Sequence, residues 1–298
     1  MKGFRILFSI SCVLCLVNFC SSEALAGGPN IRVALGAGQG PVATLAMEDY
    51  LLGVLAAEVP DDWPEAAIAA QAVAARSYAY YRIAHPRHAR FDVAAGVGDQ
   101  AFIALPDYPA VYRRALRATR GQVLSWQGEI IPAFYHSCCG GKTERAAQVW
   151  AWAKAYPFYP AKADPYCAAC PAHSWEQAVS KDELTIALLS QDLAGGEVDH
   201  IIPMSAEDGE RIREVVVITD AETIVLPSNR FRQLVGYDRI RSTAFHIVNT
   251  EDQLLFLGAG HGHGVGLCQW GARGMAALGK SYRQILEFYY PEVEIQKR

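Results

Sequence analysis

A single glutamate, Glu58, stands in a setting that could give a carboxyl group acid–base chemistry. It lies among Leu55, Val59 and Trp63, and two residues before Pro60, at the predicted C-terminal end of a helix. Apolar surroundings and the negative end of a helix dipole both disfavour the carboxylate, so the pKa of Glu58 should rise. A carboxyl group with a raised pKa can act as a general acid near neutrality. A solvated glutamate at a helix end is the alternative without function.

A second candidate segment, residues 135–144, reads YHSCCGGKTE and combines ligand-type side chains with adjacent glycines. The glycines let backbone amides approach a ligand closely. His136 with Cys138 and Cys139 would suit a metal site, or a cysteine nucleophile with a histidine base. These residues alone leave both interpretations open.

Two cysteines downstream, Cys167 and Cys170, have the C-x-x-C spacing of zinc ligands. Together with His136 and Cys139 they form our predicted structural zinc site. Disulfides are the competing interpretation, because they are common in exported proteins. An odd number of cysteines follows residue 26, so internal disulfides alone cannot account for all of them. The alternative ligands are Cys138, His173 and Cys268.

The third segment, residues 258–272, reads GAGHGHGVGLCQWGA, with glycine at every second position from 258 to 266. Glycine inside a strand usually marks a bulge or the close approach of a ligand or backbone. His261 and His263 would project to the same side if the segment were extended. A phosphate-binding loop is disfavoured, because no Gly-Lys-Ser/Thr ending follows. We therefore expect part of a binding site here, with a flexible glycine loop as the alternative.

The N-terminus has the pattern of a secretory signal peptide, predicted for residues 1–26. Lys2 and Arg5 precede a mostly apolar run at 6–19, and Ala24-Leu25-Ala26 supplies small residues for cleavage. The run is shorter than the ~20 residues of a transmembrane helix, although a retained anchor is the alternative. We expect an exported protein of the periplasm or the envelope exterior, with residues 27–298 as its working part.

The composition is that of a globular chain and disfavours some partners. Of 298 residues, 51% are hydrophobic and 19% charged, which suits one large domain or two intimately packed domains. A net charge of −4 disfavours nucleic acid, which selects basic surfaces, and equally a polybasic membrane binder. No other apolar run reaches membrane-spanning length, so no stable span is expected after signal removal.

The elements that must position these side chains mix helices and strands without a regular βαβ rhythm, which indicates an α+β fold with antiparallel strands. The catalytic segment should be a pair of helices. One is capped by Thr44 and ends near Glu58, and the other is capped by Asp62 and runs to Ile83. The second helix is rich in alanine and should be buried, so its Arg76 needs a hydrogen-bond acceptor.

These segments, in this order, resemble the stage II sporulation protein D family, whose domain is also called amidase enhancer. The resemblance covers about residues 43–293 and rests on four motifs. They are MEDYLLGVLAAEVP at 47–60, WPEAAIAAQAVAARSY at 63–78, the segment at 135–144, and HGVGLCQWGA at 263–272. The family often has Arg-x-Trp ahead of the last motif, where this chain has Ala259-Gly260-His261-Gly262.

The resemblance implies a lytic transglycosylase that acts on peptidoglycan glycan strands, typically strands already stripped of stem peptides. Such an enzyme cleaves the bond between N-acetylmuramic acid and N-acetylglucosamine and leaves a 1,6-anhydro-muramoyl end. Glu58 matches the family's catalytic glutamate and Arg76 a required arginine, and some relatives have a zinc site of His and Cys near the histidine-serine motif. The expected substrate-binding residues are Gln71, Tyr135, Ser137, Gly141, Thr143, His263 and Gln269.

Two other functions are the alternatives. One is a non-catalytic wall-binding module that stimulates an N-acetylmuramoyl-L-alanine amidase, as the older family name suggests. The other is a cysteine hydrolase that uses Cys138 or Cys139 with His136 or His263. Ordinary glycosidases need two carboxylates, whereas attack by the sugar's own C6 hydroxyl needs only one, and Glu58 alone has a suitable setting.

Overall fold

The computed structural model describes residues 28–36, 40–96, 98–150, 152–153, 156–205 and 211–298. The predicted signal peptide, residues 1–26, lies outside the described residues. The strands are β1 (Asn30–Ala34), β2 (Val42–Ala46), β3 (Val93–Ala94), β4 (Gln122–Trp126), β5 (Glu129–Ile130), β6 (Tyr135–His136), β7 (Ser174–Ser180), β8 (Val198–Ser205), β9 (Ile212–Thr219), β10 (Thr223–Pro227), β11 (Phe245–Asn249), β12 (Gln253–Ala259), β13 (Leu267–Cys268) and β14 (Glu294–Lys297).

The helices are α1 (Met47–Glu58), α2 (Glu65–Ala84), α3 (Ala110–Ala118), α4 (Ala146–Val149), α5 (Lys181–Leu189), α6 (Ser228–Val235), α7 (Gln269–Ala277) and α8 (Tyr282–Tyr289), with a 3-10 turn at Pro165–Cys167. The strands form several small, mostly antiparallel sheets. This architecture confirms the predicted α+β class. Among the residues that the structure describes, no helix is long and apolar enough to cross a membrane.

Two hydrophobic cores divide the described chain. The first core takes its buried residues from 31–172 and again from 265–290. The second takes them from 175–256, so these residues form an inserted lobe. The lobe holds the sheet of β8, β9 and β10 and the sheet of β7, β12 and β11. Its two ends meet, because the amide of Gly260 donates to the carbonyl of Ala172 over 2.9 Å.

The two helices of the predicted catalytic segment lie in the first core. Helix α1 ends at Glu58, as predicted, because Val59 takes an extended conformation (φ −137°) before Pro60. Helix α2 packs against α1, α3, α7 and β4, and its alanines let these elements approach closely. Most of the residues of α2 are buried.

The predicted caps of these helices are wrong. Thr44 lies in β2 opposite Arg32 of β1, and the ladder continues to Ala46, so α1 begins only at Met47. The hairpin takes the residues that the capping pattern assigned to the helix. Helix α2 begins at 65 after an extended proline, and no side chain caps it.

Arg76 has the acceptors that the sequence required. Its Nε and Nη2 donate to the two carboxylate oxygens of Glu48 over 2.8 Å each. Its Nη1 donates to the carbonyls of Thr119 and Gln122 over 3.0 and 3.3 Å. The pair is fully enclosed, with Arg76 0% and Glu48 3% exposed. Arg76 therefore joins α1, α2 and the start of β4, and none of these hydrogen bonds goes to Glu58.

The second and third sequence segments lie side by side. Strand β13 pairs in parallel with β6, so that Leu267 is opposite Tyr135 and Cys268 is opposite His136. Further along, Cys138 and His261 exchange both backbone hydrogen bonds, at 3.0 and 2.7 Å.

The alternating glycines do not form the extended strand that would place His261 and His263 on one side. Gly260, Gly262, Gly264 and Gly266 all have positive φ, from 71° to 101°. These conformations favour glycine, and the packing requires it as well. A Cβ on Gly260 would lie 2.6 Å from the carbonyl oxygen of Cys138. The segment is therefore a loop that follows the neighbouring backbone closely.

Candidate active site and thiol cluster

Glu58, the last residue of α1, is where three distant segments meet. Its Oε1 accepts a hydrogen bond from the amide of Ala101 at 2.9 Å and from the hydroxyl of Tyr135 at 3.5 Å. Its Oε2 accepts from Nε2 of Gln269 at 3.0 Å. The structure thus brings together three of the predicted site residues, Glu58, Tyr135 and Gln269.

Burial raises the pKa of the Glu58 carboxyl group, which confirms the predicted direction. The neighbours Leu55 and Val59 are 0% and 4% exposed and supply the apolar surroundings. The hydrogen bonds from Gln269, Ala101 and Tyr135 act the other way, because each favours the charged form. Burial therefore favours the protonated form of Glu58, while the three hydrogen-bond donors fix the position of its carboxyl group.

The donors are divided unequally between the two carboxylate oxygens. An ionised carboxylate offers about two acceptor sites on each oxygen. Among the residues that the structure describes, Ala101 and Tyr135 occupy both sites on Oε1 of Glu58, whereas Oε2 accepts from Gln269 alone. Oε2 therefore keeps a free site, which makes it the oxygen that can carry and transfer a proton.

Gln71, a predicted substrate-binding residue, is a buried amide without a partner. It is 1% exposed, and neither its oxygen nor its nitrogen makes a hydrogen bond within the described chain. Such a group costs stability unless water or a ligand satisfies it. Gln71 thus remains a candidate for a ligand-facing group.

The other predicted substrate-binding residues of the second segment make contacts within the fold. The hydroxyl of Thr143 donates to the carbonyl of Pro160 over 3.0 Å. The carbonyl of Gly141 accepts from the amide of Asp164 over 2.8 Å. The carbonyl of Ser137 accepts from the amide of Trp270 over 3.1 Å. These residues fix the loop at 160–164 and the start of α7.

His263 also serves the fold. Its Nδ1 accepts from the amide of Val265 at 3.1 Å, and its ring packs against Phe134, His136 and Trp150. Burial, followed by the nearby Arg211 cation, lowers the pKa of His263 to about 3. The imidazole is therefore neutral at ordinary pH and is occupied by contacts within the protein.

Five thiols gather beside this site, and all of them are unpaired. The potential ligand atoms of Cys139, Cys167, Cys268 and Asp164 lie within 4.8 Å of one another, and all four residues are buried. The sulfurs of Cys139 and Cys167 are 3.5 Å apart. Backbone amides donate to the Cys268 sulfur from residues 139 and 271, at 3.2 and 3.3 Å. We call these four residues the thiol cluster.

The thiol cluster differs from the predicted zinc set of His136, Cys139, Cys167 and Cys170. Cys268 and Asp164 take the places of His136 and Cys170 in the close group, because β13 carries Cys268 alongside β6. The Nδ1 of His136 is hydrogen-bonded to the carbonyl of Val265 at 3.1 Å, and its Nε2 is buried with no hydrogen-bond partner in the described part of the chain. Cys170 lies beside the fifth thiol, Cys138.

Arg211 reaches from the inserted lobe to the thiol cluster. Its Nη1 donates to the carbonyl of Gly262 and its Nη2 to the carbonyl of Cys139, both over 3.1 Å. The side chain is 4% exposed, and a Cβ on Gly264 would lie 2.4 Å from its guanidinium. Arg211 therefore ties the loop at 262–264 to the segment after β6, next to the thiol cluster.

Sequence reasoning missed Ala101, Asp164 and Arg211. Ala101 acts through its backbone amide, which leaves no signal in the residue type. Asp164 stands three residues before Cys167 and could have been found as an acidic residue next to a C-x-x-C pair. Arg211 follows a long stretch without motifs, so only the tertiary structure reveals it.

Comparisons with known proteins define the family. Residues 36–126 match the family model described as "Stage II sporulation protein", and residues 166–266 match a model of a domain of unknown function. The first match contains Glu58 and Ala101, and the second spans the inserted lobe. The chain belongs to the stage II sporulation protein D family.

Three relatives illustrate the similarity. An uncharacterised protein of Brachyspira hyodysenteriae is 34% identical over 256 residues, which cover 85% of this chain and 67% of the relative. The amidase enhancer of Bacillus subtilis is 27% identical over 81% of this chain, but only 39% of that protein is covered. Stage II sporulation protein D of Bacillus amyloliquefaciens is 26% identical over 86% of this chain and 76% of its own length.

Proposed function

We propose that this chain is a peptidoglycan lytic transglycosylase and that Glu58 is its single general acid and base. The observation that carries the proposal is the setting of Glu58. Burial raises its pKa, donors from three segments fix it, and its Oε2 keeps a free acceptor site. No aspartate or glutamate is among its hydrogen-bond partners in the described chain. A lone carboxyl group suits a reaction that uses no water.

In the proposed reaction, Oε2 of Glu58 first gives its proton to the glycosidic oxygen, and the bond from that oxygen to C1 of N-acetylmuramic acid breaks. The C6 hydroxyl of the same sugar then attacks C1, and its proton passes to Oε2. Glu58 ends in its original state, and the product carries a 1,6-anhydro ring. The amide of Gln269 stabilises the carboxylate that exists between the two proton transfers.

One tryptophan beside the Glu58 donor Gln269 supports a carbohydrate ligand. Trp270 directly follows Gln269 and is partly exposed. Its ring packs edge-on against that of Trp63 at 5.3 Å, and Trp63 itself is buried in the first core. The indole of Trp270 offers a flat apolar face, which suits the apolar faces of sugar rings.

The proposed place of action is outside the cytoplasm, where peptidoglycan lies. The signal-peptide pattern at residues 1–26 supports export to the periplasm or the envelope exterior. The name of the amidase enhancer from Bacillus subtilis favours one further candidate function. In that alternative, the chain binds the wall and stimulates a cell-wall amidase without cutting glycan.

We also propose that the thiol cluster holds a structural zinc ion. Three sulfurs and a carboxylate in a buried group suit tetrahedral zinc. Zinc would join the segment after β6, the loop at 164–167 and the start of α7. Because Cys268 directly precedes Gln269, the ion would hold in place the residue that donates to Glu58.

The cysteine hydrolase alternative has less support. Cys138 and Cys139 are 0% and 2% exposed, so neither sulfur is open to a substrate. Contacts with Cys167 raise the pKa of both thiols, which disfavours the nucleophilic thiolate. A catalytic cysteine would need the opposite setting.

Product analysis tests the proposed function. Purified glycan strands and intact peptidoglycan are each treated with wild-type protein, with Glu58→Gln, and with Glu129→Gln as an exposed control. We expect mass spectrometry to find 1,6-anhydro ends with wild type and the control, and none with Glu58→Gln. Products that carry an added water, or unchanged activity in Glu58→Gln, would contradict the proposal. The alternative, a non-catalytic module that stimulates an amidase, predicts a different result. An added amidase would then release peptides faster in the presence of either variant, and no anhydro ends would form.

A further inference from the structure

Gln100 occupies the centre of a buried hydrogen-bond network behind Glu58. Its Oε1 accepts from the hydroxyl of Tyr50 at 3.0 Å. Its Nε2 donates to the carbonyl of Ala75 at 3.3 Å and to the hydroxyl of Tyr135 at 2.9 Å. The side chain is 1% exposed, so every polar atom of the amide depends on these partners.

The orientation of the Gln100 amide follows from one of these partners. A glutamine amide can be placed in two ways that differ by exchange of oxygen and nitrogen. The carbonyl of Ala75 can only accept a hydrogen bond, so the atom facing it must be the nitrogen. The second hydrogen of that nitrogen then points to Tyr135, and the oxygen faces Tyr50.

This orientation determines where the hydroxyl hydrogen of Tyr135 points. Because the Tyr135 oxygen accepts from Gln100, its own hydrogen must go to another acceptor. The acceptor within reach is Oε1 of Glu58, at 3.5 Å. The same oxygen already accepts from the amide of Ala101, the residue that follows Gln100.

We propose that Gln100 is a positioning residue that directs the Tyr135 hydroxyl to Oε1 of Glu58 and so reserves Oε2 for proton transfer. The hydrogen bonds of the Gln100 side chain go to Tyr50, Ala75 and Tyr135, so it would act on the carboxyl group through Tyr135. The proposal rests on the proposed function for the meaning of Oε2, but the hydrogen-bond pattern itself does not depend on it.

The groups around Glu58 make its ionisation a usable signal. Among the described residues, the phenols of Tyr135 and Tyr50 interact electrostatically with Glu58, and burial raises the pKa of both well above the ordinary value. Both therefore stay neutral through the range in which a carboxyl group titrates. A donor to Glu58 favours its carboxylate, so loss of that donor must raise the pKa of Glu58.

The test is a double-mutant cycle read on the pKa of Glu58 by NMR of ¹³C-carboxyl-labelled glutamate, with the signal assigned through Glu58→Gln. We expect Tyr135→Phe to raise this pKa by roughly half a pH unit or more. Gln100→Leu, made together with Tyr50→Phe so that no hydroxyl is stranded, should raise it by a similar amount. In the Tyr135→Phe background, the same pair of changes should have no further effect.

The control is Tyr50→Phe alone, which removes a partner of Gln100 without disturbing its nitrogen and should leave the pKa of Glu58 unchanged. Additive shifts in the double-mutant cycle, or no shift with Gln100→Leu, would overturn the proposal. If the leucine variant does not fold, the unbranched Gln100→Met gives the same comparison. Because the titration needs no substrate, its outcome is separate from the product analysis. A transglycosylase could fail the titration test, and a protein without cleavage activity could pass it.

Discussion

The guanidinium of Arg76 forms a bidentate salt bridge with the carboxylate of Glu48 inside the first core, through two hydrogen bonds of 2.8 Å. Removal of one partner leaves a buried charge without compensation, which typically costs 3–5 kcal/mol. We expect Arg76→Ala to lower the free energy of unfolding by about 4 kcal/mol in urea denaturation. Arg114→Ala breaks the exposed pair with Glu65 and should cost about 1 kcal/mol or less.

The same variant separates a structural role of Arg76 from a catalytic one. Under conditions where Arg76→Ala is still folded, activity per folded molecule should stay near that of wild type. Lost activity with unchanged stability would instead assign Arg76 to catalysis, as the family resemblance implies.

Glu58→Gln should increase stability at neutral pH while it abolishes cleavage. Burial raises the pKa of Glu58 in the folded protein, so the folded state binds this proton more tightly than the unfolded state. That contribution is fully present below the unfolded pKa and is lost as pH rises through the folded pKa. Glutamine carries no charge to desolvate, so its advantage should appear as pH rises. Thermal unfolding of both proteins from pH 4 to pH 8 measures this difference.

Glu129→Gln, a change of the same kind at an exposed position, provides the control for that comparison. A Glu58→Gln protein that is less stable than wild type at pH 7 would contradict the expectation. It would mean that the three donors to Glu58 outweigh the cost of burying its charge.

Gln71→Leu should stabilise the fold and weaken the binding of glycan. The buried amide of Gln71 lacks partners within the described chain, and leucine of similar size removes the cost of about 1–3 kcal/mol for such a group. Urea denaturation and binding to purified glycan strands check the two effects. A stability gain with unchanged binding would show that Gln71 does not face the ligand.

Cys167→Ser should lose bound zinc and lower the melting temperature, because metal binding to a folded site adds directly to stability. Elemental analysis of the wild-type protein should find one zinc per chain. His136→Asn is the matched variant, since asparagine can keep the donor to the Val265 carbonyl. It should retain the metal, and loss of zinc in this variant would return His136 to the ligand set. Wild-type protein without zinc and with oxidised thiols would refute the metal site.

Much of the fold near Glu58 could be predicted from local sequence. Helix α1 ends where Pro60 demands it, and the need of Arg76 for an acceptor follows from its alanine-rich surroundings. Thr44 was assigned wrongly because local capping preference competes with strand pairing, and the partner strand β1 decides the outcome. Pairing between distant segments cannot be read from the residues of one segment.

In the site, too, some residues can be predicted from local sequence, and others depend on the pairing of distant segments. The motifs of Glu58, Tyr135 and Gln269 are distinctive, so the sequence places all three in one candidate site. Ala101 was not found, because any residue except proline can supply a backbone amide. The predicted zinc set shares only Cys139 and Cys167 with the thiol cluster for a related reason. Spacing identifies Cys167, whereas the β6–β13 register brings Cys268 beside it.

The inserted lobe is joined to the first core by neighbouring chain ends near Ala172 and Gly260, and Arg211 adds a second point of attachment at Cys139 and Gly262. Both attachments lie next to the thiol cluster, so a shift of the lobe would act on the loops around that cluster. The insertion thus offers a mechanical route from the molecular surface to the residues beside Glu58.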